Sequence, residues 1–122
     1  MKFGEYLREK RLEKNMKAKT AAEIWHISPA YLSSLENGSR SAPSYELLER
    51  MADVLELDTD DRFMLYDLAA ESKSPSELSR DLTGYIYQNP QIRLMLRYAM
   101  KCRLTEKEWT VILNFVNMNY KY

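Results

Sequence analysis

The stretch "ISPAYLSSLENG", residues 27–38, decides how the chain is read. Ser28 suits the N-cap of a helix, and Pro29 suits its first turn, where a missing amide hydrogen costs nothing. Gly38, after Glu36 and Asn37, is free to take the left-handed conformation that closes a helix. On a helical wheel beginning at Pro29, Tyr31, Leu32 and Leu35 cluster on one side. Pro29, Ala30, Ser33, Ser34 and Asn37 share the opposite arc. The apolar side would seat this helix on a core, and the other side would be left for a partner. Yet that outward row carries none of the long polar side chains that usually read a surface.

Working outward, apolar residues recur at helical spacing and no segment alternates as a half-buried strand does, so the chain reads as all-α. A first helix is expected over about Gly4 to Lys14, with Phe3, Leu7 and Arg11 at four-residue steps and Leu12 beside them. A second is expected over about Lys17 to Trp25, joined to the central helix by a tight turn at His26 and Ile27. Ser44 would cap a fourth helix carrying Leu47, Leu48, Met51, Ala52 and Leu55. A fifth would start near "DTDD", where acidic groups complement the positive end of the helix dipole, and contribute Phe63, Leu65, Leu68 and Ala69. "ESKSPSELS" then supplies a break and a restart, with Ser74 and Glu77 fitting a capping box and Pro75 just inside it. Three further helices are expected, over about Pro75 to Tyr87, Pro90 to Lys101 and Glu106 to Asn119. Thr105 and Glu108 give the last of these a capping box.

The 122 residues suit one compact core, or a small domain with an appendage, and leave no room for a large catalytic cavity. No apolar run approaches the roughly 20 residues that span a bilayer, so no membrane association is expected. "MKFGEYLREKRLEK" turns charged at once and lacks an apolar signal segment, which points to the cytoplasm. One cysteine, Cys102, and one histidine, His26, are too few for an internal disulfide, a Cys/His zinc site or Cys-His catalysis. No nucleophile-base set, carboxylate pair or phosphate-cradling Gly loop can be assembled, so no cofactor and no enzymatic activity are expected. Net charge is zero but unevenly spread: residues 1–45 carry +3, 46–80 carry −6 and 81–122 carry +3. Only the ends could attract phosphate, and imbalances of this size also suit ordinary solvated surface.

Two short helices joined by a tight turn among five could be a plain helical bundle. Residue identity says more. The segment "LREKRLEKNMKAKTAAEIWHISPAYLSSLENGSRSAPSYELLERMADVLEL" resembles the helix-turn-helix domain of phage-repressor-like (Cro/C1, Xre-type) transcription regulators. The resemblance rests on the small Ala22, on "IS" before the central helix, on "YLSSLENG" and on the Pro-Ser that starts the next helix. It implies a five-helix, lambda-repressor-like DNA-binding domain over residues 1–72, followed by a small helical C-terminal region over 73–122. The central helix would then be the recognition helix, with Pro29, Ala30, Ser33, Ser34 and Asn37 facing bases in the major groove. Arg11, Lys17, Lys19, Ser28, Tyr31 and Arg40 would lie by the DNA backbone. The resemblance also pairs Arg11 with Glu36 across the first and third helices, where a bidentate contact would fix their angle.

Two positions depart from the pattern. His26 stands where the family usually has Gly in the turn, and reaches the left-handed conformation less readily. Ala18 stands where a phosphate-binding Gln is usual, flanked by Lys17 and Lys19, which could supply sequence-blind charge or simply be solvated.

The remaining chain is dense in aromatics: Tyr85, Tyr87, Tyr98, Trp109, Phe115, Tyr120 and Tyr122. Leu78, Leu82, Ile86, Ile92, Leu96, Ala99, Met100, Trp109, Ile112, Leu113 and Val116 could pack together as a small subdomain. The same surface could form a homodimer, since such DNA readers bind two half-sites about a helical turn apart through a two-fold axis. It could also bind another protein, through residues 75–122, or a small effector. Two functional expectations follow. One is a sequence-specific transcription regulator, a repressor acting as a homodimer on double-stranded DNA. The other is an antitoxin-like or regulatory interaction module that uses the same fold.

Overall fold

The computed structural model describes residues 1–120, and the aromatic Tyr122 lies outside the described residues. It contains eight helices and no strand among them: α1 (Phe3–Glu13), α2 (Ala18–Ile24), α3 (Pro29–Asn37), α4 (Tyr45–Val54), α5 (Thr59–Lys73), α6 (Arg80–Gln88), α7 (Pro90–Cys102) and α8 (Glu106–Asn119). The all-α expectation holds. None of these helices is long and apolar enough to cross a membrane.

Local chemistry sets four of the helix starts. The Ser28 hydroxyl accepts the Tyr31 amide at 3.0 Å, Ser44 accepts Leu47 at 3.3 Å, and Asp58 accepts Asp61 at 2.8 Å. Each satisfies one of the amides that a helix leaves without a partner at its N-terminus. Thr105 and Glu108 form the expected capping box ahead of α8.

The helix ends follow one device used repeatedly. Asn15, His26, Glu56 and Arg103 all adopt positive φ, between 52° and 56°. In each case the next amide bonds back to the carbonyl five residues earlier: Met16 to Arg11, Ile27 to Ala22, Leu57 to Ala52, and Leu104 to Ala99, at 3.0–3.2 Å. This is the Schellman closure, and the residue after the left-handed one is apolar every time. Met16, Ile27 and Leu57 use it to pack against the core. Gly38 ends α3 in the same region of backbone space, at φ 82°.

The chain divides into two compact units, Met1–Thr83 and Gly84–Tyr122. In the first, α1 packs on α3 and α5, α2 on α3, and α4 on α5. Leu7, Ala21, Ala22, Trp25, Leu32, Leu35, Met51, Ala52 and Leu65 are sealed from solvent at its centre. Trp25 is held there although its indole N–H has no acceptor. Phe63, expected to join this core, is exposed, as are Leu12 and Ile24. Position 63 follows the apolar spacing of α5, but Leu65, Leu68 and Ala69 define the side that faces inward.

The second unit differs from expectation more widely. Only Ala99 is buried among its described residues, while Ile86, Ile92, Leu96, Trp109 and Ile112 are half-covered. Met100, Leu113 and Val116 are exposed, and so are Leu78 and Leu82 ahead of it. The restart at Pro75 is also displaced. Ser74 closes α5 instead of opening a helix, the Glu77 amide bonds the Ser74 carbonyl in a turn, and α6 begins at Arg80. Because α5 runs to Lys73, it continues past residue 72, and the division between compact units falls after Thr83.

Candidate nucleic-acid interface

The helix α3 is fixed by residues that lie outside it. On its inner side Leu32 and Leu35 are wholly buried. Across from its C-terminal half, Arg11 of α1 donates from Nε to Glu36 at 2.8 Å and from Nη2 to the other carboxylate oxygen at 2.9 Å. Its third donor, Nη1, reaches the Met16 carbonyl at 2.7 Å. Arg11 therefore clamps three points at once: the recognition-helix position Glu36, its own helix, and the turn into α2. The paired Glu36 carboxylate holds the guanidinium pKa up against the opposing effect of burial. Arg11 is only 6% exposed, with three of its five N–H donors engaged by Glu36 and Met16.

A second anchor has no counterpart in the sequence reading. Gly4 is buried in the first turn of α1, directly against the end of α3. A Cβ there would sit 2.3 Å from the Leu35 carbonyl oxygen and 2.6 Å from that of Glu36. Only a residue without a side chain permits this approach. The available signal is a glycine inside a helical pattern, which costs about 1 kcal/mol relative to alanine and so calls for a packing reason. Ser72 of α5 supplies another unforeseen contact, accepting the Ala42 amide at 2.8 Å and so pinning the loop between α3 and α4.

On the outer side, Pro29, Ala30, Ser33 and Asn37 are exposed and Ser34 is half-buried. These side chains form the row that the helical wheel predicted. Their chemistry is not uniform. The Asn37 carboxamide oxygen accepts the Ser39 amide at 2.9 Å, so part of its capacity shapes the turn after α3. The Ser34 carbonyl accepts the Arg40 amide at 3.2 Å. Ser28 spends its hydroxyl as a cap on Tyr31. Ser33 is the exposed hydroxyl in the middle of the row with no such local duty.

Three of the cationic residues expected beside the DNA backbone are exposed. Lys17 and Lys19 stand exposed at the start of α2, which has no side-chain cap. Arg40 is exposed in the loop after α3, its guanidinium 5.6 Å from the centre of the half-buried Tyr31 ring. His26 takes φ 56° in the turn between α2 and α3, where its exposed ring has room although the backbone is strained. No group of three or more His, Cys, Asp or Glu side chains among the described residues could hold a metal ion.

A family model described as a helix-turn-helix domain matches residues 2–63, which include α1 to α4 and the start of α5. A "ImmF control region 10 kDa protein" of Bacillus phage phi105 is 40% identical over 57 residues, covering 47% of this chain and 62% of the phage protein. The chain thus aligns with less than two thirds of that relative's length. A solved structure titled "SINR PROTEIN/SINI PROTEIN COMPLEX" covers 95% of both chains at 22% identity, with a TM-score of 0.49. The match across half the chain and the helical geometry it falls on lead to one assignment: this chain belongs to the helix-turn-helix family of DNA-binding regulators.

Proposed function

We propose that this protein is a sequence-specific transcription regulator of the cytoplasm, a repressor that occupies double-stranded DNA as a homodimer. The observation that carries the reading is α3 itself. Its inner side chains are sealed in the core, while Pro29, Ala30 and Ser33 are exposed on its outer side, and Lys17, Lys19 and Arg40 are exposed as well. A major groove admits a helix presented in this way.

Readout by this row is of a quiet kind. Ala30 and Pro29 suit thymine methyl groups, Ser33 and Ser34 give or accept hydrogen bonds to either base type, and waters can bridge the remainder. Neither side chain makes the bidentate contacts that discriminate strongly. Specificity therefore draws on DNA shape and on the spacing of two half-sites, which makes the dimer part of the recognition. The second unit supports that assignment, because its exposed Val111, Phe115 and Met118 recur on one side of α8. Burying such residues against a second copy removes apolar surface from water.

The same exposed surface supports a second reading, an antitoxin-like or regulatory interaction module whose residues 75–122 bind another protein. Selection from random duplex DNA, with affinities measured at two salt concentrations, separates the two. Enrichment of an inverted repeat is the expected result. Weak binding with no enriched motif overturns the regulator in favour of the interaction module.

A further inference from the structure

Four cations in the described structure lie over aromatic rings, and their surroundings differ. Lys10 sits over Tyr6 but also meets Asp61 at 3.2 Å and Glu13 at 3.3 Å. Arg80 sits over Tyr45 and pairs with Glu46. Arg93 sits over Tyr87 and donates to the Ile86 and Tyr87 carbonyls. Arg40 over Tyr31 is the exception: its guanidinium has the ring and no carboxylate or carbonyl partner among the described residues. A carboxylate would have neutralised this cation. A ring face attracts it and leaves its charge and its N–H edge uncommitted.

The backbone brings the two residues together across the whole length of α3. Tyr31 is in the first turn, held by the Ser28 cap, and its ring is packed against the core. After Gly38 the chain folds back: the Ser39 amide bonds Asn37, and the Arg40 amide bonds the Ser34 carbonyl. The loop is thereby fastened to α3 at the point that lets the Arg40 side chain return over the ring.

We propose that Tyr31 is a positioning residue: its ring holds the Arg40 guanidinium, unneutralised, beside the recognition helix for a DNA phosphate. This rests on the DNA-binding reading above and goes beyond it, because it makes Tyr31 act through Arg40 and not by a phosphate contact of its own. Ordering a long flexible cation before binding removes part of the entropy cost of immobilising it on DNA.

The test is a double-mutant cycle on the full chain, reading duplex-DNA affinity and its salt dependence together with the NMR shifts of the Arg40 side-chain protons. Arg40→Ala should lower the salt slope by about one released counterion. Tyr31→Leu should weaken binding by about two- to fivefold in the wild-type background. It should have no effect once Arg40 is Ala. Tyr31→Phe, which keeps the ring, should bind as the wild type does and keep the ring-current shift of the Arg40 methylenes. Additive effects of Tyr31→Leu and Arg40→Ala would overturn the clamp while leaving DNA binding in place. So would a loss in Tyr31→Phe, which would mean that the hydroxyl itself touches DNA. Absence of duplex binding by the wild type would overturn the DNA-binding reading, and the clamp with it.

Discussion

The two units handle their apolar residues in opposite ways. In Met1–Thr83 the large apolar side chains converge, with Trp25, Leu7, Leu32, Leu35, Met51 and Leu65 wholly buried. In Gly84–Tyr122 they face outward: Met118 is 85% exposed, Tyr87 78% and Met100 74%, and only Ala99 is buried among the described residues. The first unit has the core that an independent domain needs. The second has a capping box at α8 and a left-handed close at α7 but not the interior that would hold its helices. The buried apolar core therefore resides in the first, and the second carries apolar side chains exposed to solvent.

If that contrast is right, substitutions in the first unit should be expensive and the same kind of change in the second should not. The largest loss is expected for Glu36→Ala, which strands the buried Arg11 charge. Chemical denaturation should show about 3–5 kcal/mol of lost stability, and a loss below 1 kcal/mol would mean that the pair is not buried in solution. Gly4→Ala comes next, at about 1–3 kcal/mol, because the two α3 carbonyls have to move away from the new Cβ. Its sign is diagnostic, since helix propensity alone predicts that alanine stabilises.

In the second unit, Phe115→Glu should change folding stability by no more than about 0.5 kcal/mol when measured at protein concentrations where the chain is monomeric. Sedimentation should show it weakening self-association. Dimers of undiminished strength would place the contact elsewhere. A stabilising change is expected at the turn before α3. His26→Gly relieves a left-handed residue at the cost of extra unfolded-state freedom, and the melting transition should report a gain of about 0.5–1 kcal/mol. A loss would show that the His26 side chain makes a stabilising contact of its own.

What could be read from the sequence was whatever is decided locally. Ser28 with Pro29, Ser44, Gly38 and the Thr105–Glu108 pair act within a few residues of themselves, and each caps or closes the helix that it was expected to. Ser74 fits the same pattern and misleads. A capping box specifies which bonds are possible and does not stop the preceding helix from extending to Lys73. The outward row of α3 followed from spacing, because Leu32 and Leu35 leave only one arc for Pro29, Ala30, Ser33 and Asn37.

Non-local facts were harder. The Arg11–Glu36 pairing came from the resemblance to known regulators, not from any spacing in this chain. Little in the local sequence marks the role of Gly4, because the contact that requires it lies 31 residues away, at Leu35. In the C-terminal helices the apolar pattern was visible, but periodicity does not say whether a stripe meets its own chain or another.

The central claim, that α3 enters the groove with Ser33 at the middle of its outer row, is tested most directly by the affinity of Ser33→Glu for the duplex enriched by the wild type. A carboxylate there would approach acceptor-rich base edges and phosphates, so affinity should fall while the melting temperature is preserved, Ser33 being exposed. Unchanged affinity in a folded Ser33→Glu protein would contradict the account, because α3 would then lie outside the groove.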